Sequence, residues 1–325
     1  MLRIGVIGVG HLGKHHARIL ASLPGVELIA VVDTNRARAE EIAAAHRTQA
    51  LFDARDLDGR VDAVTIAVPT EIHRDIARPF LESGIAALVE KPLARTLPEA
   101  DDIIAAAARR RAVLAVGHTE RFNPAVEAAR PFLADPRFIE VHRLGTFPER
   151  SLDIDVVFDL MIHDLDVVLS LVHAEVEDID AVGVPVLTGR VDIANARLRF
   201  TNGCIANLTA SRISRDRVRK IRFFQPAAYV SIDYAAQKIE MYRVDQGSGP
   251  TPTIHGGDVA VANEEPLKRE LADFVDAVVS RRAPAVTGEQ GRRALEVAQQ
   301  ITDRIGAAAK TRRHPDPNRD VFRPD

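Results

Sequence analysis

Leu2-Arg3-Ile4-Gly5-Val6-Ile7-Gly8-Val9-Gly10-His11-Leu12-Gly13 is the stretch that decides the fold. An apolar run of strand character leads straight into G-x-G-x-x-G, and a helical run follows over 12–23. Each glycine has its own reason. Gly8 permits the tight turn out of the strand, Gly10 lets a pyrophosphate approach the backbone, and Gly13 lets the helix pack close to the strand. His11 and Leu12 lie in the same turn. The pyrophosphate then meets free N–H groups and the positive end of the helix. Twenty residues beyond Gly13, Asp33 closes the next apolar run, 27–32. A carboxylate there accepts ribose hydroxyls and repels a 2′-phosphate. NAD is therefore favoured over NADP, with Arg36 close enough to soften the preference.

The same alternation continues to residue 120. Strand-like runs at 62–68, 86–89 and 113–116 alternate with helical runs at 37–45, 72–83 and 98–111. That order predicts a doubly wound parallel sheet of Rossmann type with right-handed crossovers. After His118 the texture changes. A helix opened by Asn123-Pro124, a strand at 138–144 and a helix at 156–172 precede alternating runs at 191–200, 204–211, 218–224, 229–232 and 238–242. These read as an open, mostly antiparallel sheet. Residues 246–265, rich in Gly, Pro and Thr, read as a long loop, and 266–280 and 288–309 read as helices. The expected organisation is α/β throughout: an NAD-binding domain over 1–120, a substrate-binding and oligomerisation domain over 121–310, and a flexible tail over 311–325.

Composition narrows the function classes. With 46% hydrophobic and 27% charged residues, the chain reads as globular. Its net charge of −3, from 43 basic and 46 acidic residues, gives no global attraction for nucleic acid or an anionic membrane. The single cysteine, Cys204, excludes an internal disulfide and is expected in the core. No apolar stretch approaches the ~20 residues of a membrane helix. A strand beginning at residue 2 leaves no room for a leader, so a cytoplasmic location is expected.

Three further stretches carry chemistry. Ile66-Ala67-Val68-Pro69-Thr70-Glu71-Ile72-His73 ends a buried strand in a proline turn, where an open α/β sheet binds ligands. Pro69 and Thr70 should line the cofactor. His73 reads either as a cap on the nicotinamide ribose region or as an exposed helix-start residue. Glu90-Lys91-Pro92 follows the next strand, so Lys91 stands at a strand's carboxyl end. There an amine can hold a substrate hydroxyl, and burial lowers its pKa toward a useful range. In Phe158-Asp159-Leu160-Met161-Ile162-His163-Asp164-Leu165-Asp166, helical spacing puts Asp159, His163 and Asp166 on one face. A carboxylate beside an imidazole orients it for proton transfer. Metal binding and simple ion pairing are the competing uses. No second histidine has matching spacing and hydride transfer needs no metal, so none is expected. Arg121-Phe122-Asn123-Pro124 opens the second domain, and Asn123 suits a helix cap as well as a ligand. Arg121, Arg143 and Arg150 are candidates for a substrate phosphate. Arg212, Arg215, Arg217, Arg219 and Lys220 read as a solvated edge, a subunit contact or a phosphate-binding rim.

These motifs together resemble the Gfo/Idh/MocA oxidoreductases. The likeness rests on the glycine motif, Pro69-Thr70 with His73, Glu90-Lys91-Pro92, Asp159 with His163 and Asp166, Leu271-Ala272-Asp273-Phe274 and Thr287-Gly288-Glu289-Gln290-Gly291. It implies Lys91, Asp159 and His163 as the catalytic group, and Glu90 and Lys91 beside the cofactor. It also implies homodimers or homotetramers formed through the C-terminal sheet. Many members have glycines before the aspartate and another two residues after it, where this chain has Val156-Val157 and Met161. Gly117-His118-Thr119-Glu120-Arg121-Phe122-Asn123-Pro124 and Phe147-Pro148-Glu149-Arg150 instead resemble a subgroup acting on nucleotide sugars. The resemblance thus implies oxidation of a secondary hydroxyl, the 3-hydroxyl of a UDP-N-acetyl sugar, with Arg121, Asn123, Arg150 and His163 at the substrate. An inositol or free-sugar dehydrogenase is the nearest alternative, and a non-catalytic NAD-binding sensor is the alternative from another class. Retention of Lys91, Asp159 and His163 speaks against the sensor.

Overall fold

The alternation of the first third folds as β1 (Leu2–Ile7), α1 (Gly13–Leu20), β2 (Val26–Val32), α2 (Arg36–His46), β3 (Gln49–Leu51), β4 (Ala63–Ile66), α3 (His73–Glu82), β5 (Ala86–Glu90), α4 (Leu97–Arg110) and β6 (Leu114–Gly117). In this computed structural model the described residues are 1–147, 154–245 and 253–311, with side chains through 308. The first six strands form one parallel sheet in the order β3-β2-β1-β4-β5-β6. Every residue of β4, β5 and β6 is buried, which is why those runs lack alternation. Local chemistry sets the helix ends. The Asn35 side chain accepts from Arg38 N to cap α2, and Thr96 accepts from Glu99 N to cap α4. Strand order reverses between β1 and β4, and a crevice opens beyond their carboxyl ends.

The remainder adds α5 (Pro124–Ala129), β7 (Phe138–Leu144), α6 (Ile162–Leu171), β8 (Val176–Val184), β9 (Ile193–Phe200), β10 (Ile205–Ser211), β11 (Val218–Gln225), β12 (Ala228–Asp233), β13 (Lys238–Asp245), β14 (Thr253–Val259), α7 (Pro266–Ser280) and α8 (Gly288–Thr311). Its sheet runs β14-β13-β12-β11-β7-β10-β9-β8, antiparallel except for the β7–β10 pair. The inner face, with Ile139, Val141, Leu208, Ile221 and Phe223, shares a core with Leu165 and Val168 of α6 and Ile301 of α8. Cys204 is buried in the same core, as expected. On the outer face Phe138, Phe224, Tyr229 and Tyr242 form an aromatic row, with successive centroids 5.6, 5.2 and 6.4 Å apart.

Four features depart from the sequence reading, the first being that β3 and β8 form where no strand was expected. Residues 253–259, expected within a loop, form β14 along β13. Glycines at 256 and 257 gave that segment a loop's composition, yet a Cβ on Gly256 would lie 2.0 Å from Met241 O, so close strand approach needs glycine there. Residues 246–252 and 312–325 lie outside the described part. The expected helix at 156–172 begins as a π turn, Val157–Met161, before α6. Finally, α7 returns to the first sheet. Leu271 and Phe274 complete a cluster with Ile4, Val6, Val31 and Leu88, and Thr287 bridges to Ala115. A simple division at residue 120 misses this return.

Candidate active site

A cleft of 1660 Å³ spans the switch point and the inner edge of the second sheet. It exceeds the roughly 300–1,000 Å³ of a drug-sized site and leaves room for a dinucleotide and a second ligand. Gly8, Gly10, His11, Leu12, Asp33, Pro69, Thr70, Glu90, Lys91, Asp159 and His163 all line it.

The dinucleotide end fits its ligand by shape. Gly8 turns with φ +82, and a Cβ there would lie 2.6 Å from Ala67 O. Gly13 does not line the cleft; a Cβ on it would fall 1.7 Å from Gly8 O, so it sets the helix–strand distance. At Gly10 an added Cβ would meet only Arg38 Nη1, 3.9 Å away, which leaves the backbone open on that side. Asp33 accepts from Val9 N at 3.0 Å and from Asn35 N at 2.8 Å, so the acid also shapes the loop. The neighbouring cation is Arg38, 3.5 Å from Asp33, whereas Arg36 stacks over Phe52 at 4.1 Å. Nothing in the sequence separates these arginines except that Arg38 follows the Asn35 cap by one helical turn.

His73 has a different task from the one expected. It is 1% exposed and absent from the cleft wall, so it is neither a cofactor contact nor a solvated residue. Its Nδ1 lies 3.0 Å from Pro92 O and its Nε2 3.0 Å from Val68 O, which ties the turn after β4 to the turn after β5. Burial lowers its pKa. Glu90 works in a similar way: Oε2 accepts from Lys91 N at 3.1 Å, and Oε1 lies 3.1 Å from His16 Nε2. Burial would raise the Glu90 pKa, but His16 and the Lys91 charge carry it below the usual value.

Lys91 and Asp159 meet across the cleft. Lys91 Nζ donates to the backbone O of Asp159 at 2.8 Å and stands 3.8 Å from its Oδ1. Burial lowers the Lys91 pKa, opposed by Asp159 and Glu90. Asp159 makes no hydrogen bond to His163 among the described residues. The wider π turn removes the i, i+4 stacking that an α-helix would give them. Among the described residues His163 Nδ1 is buried without a partner, which leaves Nε2 as the nitrogen able to face the cleft. Burial, then the positive charges of Lys91, Arg143 and Arg219 among others, hold its pKa well below 6.5. The imidazole is neutral at pH 7 and can accept a proton.

The remaining expected substrate residues divide. Arg121, 7% exposed, donates to Asp166 at 3.1 Å and Gln290 at 3.0 Å and does not line the cleft, so it is part of the buried framework. The same pairing takes Asp166 away from His163. Asn123 reaches the cleft wall, but its amide is engaged internally: Oδ1 accepts from Ala125 N, and Nδ2 donates to Tyr234 O and Glu120. Arg150 lies outside the described residues. Arg143 does reach the cleft, clamped by Asp164 at 2.6 and 3.0 Å and by Glu120 at 3.1 Å, with Tyr234 beneath its guanidinium at 5.3 Å. Glu120, Tyr234 and Gln237 also join the wall; Glu120 comes from the 117–124 stretch, and Tyr234 and Gln237 from the turn between β12 and β13.

Residues 2–118 match the NAD-binding Rossmann-fold domain of the Gfo/Idh/MocA oxidoreductase family, and 133–225 match its C-terminal domain. The chain is 40% identical over 302 residues to a UDP-N-acetylglucosamine 3-dehydrogenase of Acidithiobacillus ferrooxidans, covering 92% of this chain and 96% of that one. A solved structure carrying that name, from the same organism, is similar at a TM-score of 0.88 and 39% identity, over 94% of this chain and 98% of that one. An inositol 2-dehydrogenase of Rhizobium meliloti is 26% identical over 316 residues, 91% of this chain and 94% of that one. With its glycine cradle, doubly wound sheet and match to both domains, this chain belongs to the Gfo/Idh/MocA family of NAD-binding oxidoreductases.

Proposed function

We propose that the chain oxidises the 3-hydroxyl of UDP-N-acetylglucosamine, with Lys91 and His163 handling the hydroxyl and its proton. The supporting observation is that the Lys91 amine and the His163 ring line one cleft that begins at the glycine turn. The higher identity to the nucleotide-sugar enzyme than to the inositol enzyme supports this choice of substrate.

Residue chemistry supports a division of labour. Lys91, fixed by Asp159 O, keeps N–H groups for the substrate oxygen and favours its alkoxide character. Asp159, beside the amine, offsets the burial of its charge. His163, neutral by burial, takes the hydroxyl proton. NAD held at the glycine turn would supply the hydride acceptor that oxidation of the alcohol to a ketone requires, beside Lys91 and His163. Glu90 and His73 hold the turns that carry Lys91.

The aromatic row on the outer face of the second sheet is the surface through which we expect two copies to pair. NADH formation checks the substrate. UDP-N-acetylglucosamine should drive it, while free N-acetylglucosamine and myo-inositol should give far slower rates. Turnover of inositol in preference to the nucleotide sugar would overturn the reading.

A further inference from the structure

The eight-stranded sheet places two arginines side by side on its inner face, and among the described residues only one of them has an ion-pair partner. Arg219 of β11 is the register partner of Arg143 of β7, so their side chains share a face. Ile221 and Phe223 continue that face into the core, and Arg219 stands where the core gives way to the cleft it lines. The carboxylates nearby are already engaged by other donors. Both Asp164 oxygens accept from Arg143, while Glu120 accepts from Arg143 through Oε1 and from Asn123 through Oε2. Among the described residues, the Arg219 guanidinium makes no hydrogen bond or ion pair. An isolated cation beside a like charge, with a planar fork of donors facing an open cleft, is arranged for an anion. The anion of the dinucleotide has its own cradle at Gly8–Gly13, in the turn after β1 of the first sheet.

We propose that Arg219 binds the diphosphate of the nucleotide-sugar substrate and so sets the preference for a UDP-sugar over a free sugar. This rests on the nucleotide-sugar reading above. Both oxygens of a phosphate can meet the guanidinium fork, and the cross-strand Arg143 adds to the positive field. Burial and the charge of Arg143 lower the Arg219 pKa and outweigh the opposing pull of Glu120 and Asp164, which Arg143 already occupies.

UDP binding to the full chain loaded with NAD, followed by calorimetry, tests the assignment. Wild type should bind UDP. Arg219→Gln should weaken it about tenfold to a hundredfold, the usual effect of losing a hydrogen bond to a charged group. Arg219→Lys should fall between, keeping charge without the fork. NAD affinity should be unchanged in both variants, which shows that they are folded. If Arg219→Gln binds UDP as wild type does, the diphosphate sits elsewhere and the Arg219 assignment is wrong, while the substrate reading stands. If wild type binds NAD but no UDP, the nucleotide-sugar reading fails and takes the assignment with it. Glucuronate binding that depends on Arg219, without UDP binding, would overturn the diphosphate in favour of a carboxylate.

Discussion

At the scale of single residues, the proposed mechanism gives Lys91 and His163 separable duties. Lys91→Ala should lower turnover about 10²–10⁴-fold, the range for losing a positioned acid–base group, while NAD binding stays near wild type. NADH formation and NAD titration check the two halves. His163 gives a pH signature. Its pKa is lowered, so the neutral, proton-accepting form persists below the ordinary value of 6.5. The oxidation rate should therefore hold level through pH 6.5 and fall only at lower pH, and His163→Asn should remove that acid limb along with most activity. A limb centred at or above pH 6.5 would contradict the burial argument. Lys91 was legible in sequence because a strand end has only one place to put it. Asp159 was legible as a site residue but not as the partner of Lys91. The α-helical spacing joined it to His163, and nothing in Val157–Met161 signals the π turn that separates them. His73 and Arg121 were read as ligand contacts because motif positions say which residues matter, not which way they face.

At the scale of elements, buried polar clamps hold the loops of the second sheet. Asp192 before β9 accepts from the backbone N of Val186, Leu187 and Thr188 at 2.7–2.8 Å and pairs with Arg212 at 2.9 Å, both side chains being buried. Removing one partner leaves a buried charge uncompensated, so Asp192→Ala should destabilise the chain by about 3–5 kcal/mol in urea unfolding. These hydrogen bonds hold the Asp192 pKa below 3.8 against the effect of burial. The stabilisation is therefore complete above the unfolded value of 3.8 and lost as pH falls through the folded one. Most strands of the second sheet were legible from alternation, β8 being an exception. β14 was not legible either, since Gly256 serves close packing against β13 and the Gly256-Gly257 pair carries no apolar pattern.

At the scale of the whole molecule, two sheets meet along one cleft, and the chain crosses between them more than once. Glycine turn, strand alternation and acid position made the first sheet readable from sequence. The return of α7 was hidden, because an amphipathic helix does not name the surface it covers; Leu271 and Phe274 find theirs on β1 and β5. The outer face of the second sheet yields a prediction of assembly. Phe224→Asp with Tyr229→Asp should shift light-scattering mass from dimer or tetramer toward monomer, without changing NAD binding. An unchanged mass would place the interface elsewhere.

The most direct measurement follows one atom. UDP-N-acetylglucosamine carrying deuterium at C3 is mixed with NAD and the purified chain, and the reduced cofactor is examined by mass spectrometry. The account predicts that the reduced cofactor gains the deuterium and the sugar becomes the 3-ketone, with neither product formed by Lys91→Ala. Reduced cofactor without deuterium, or label retained on the sugar after turnover, would contradict it.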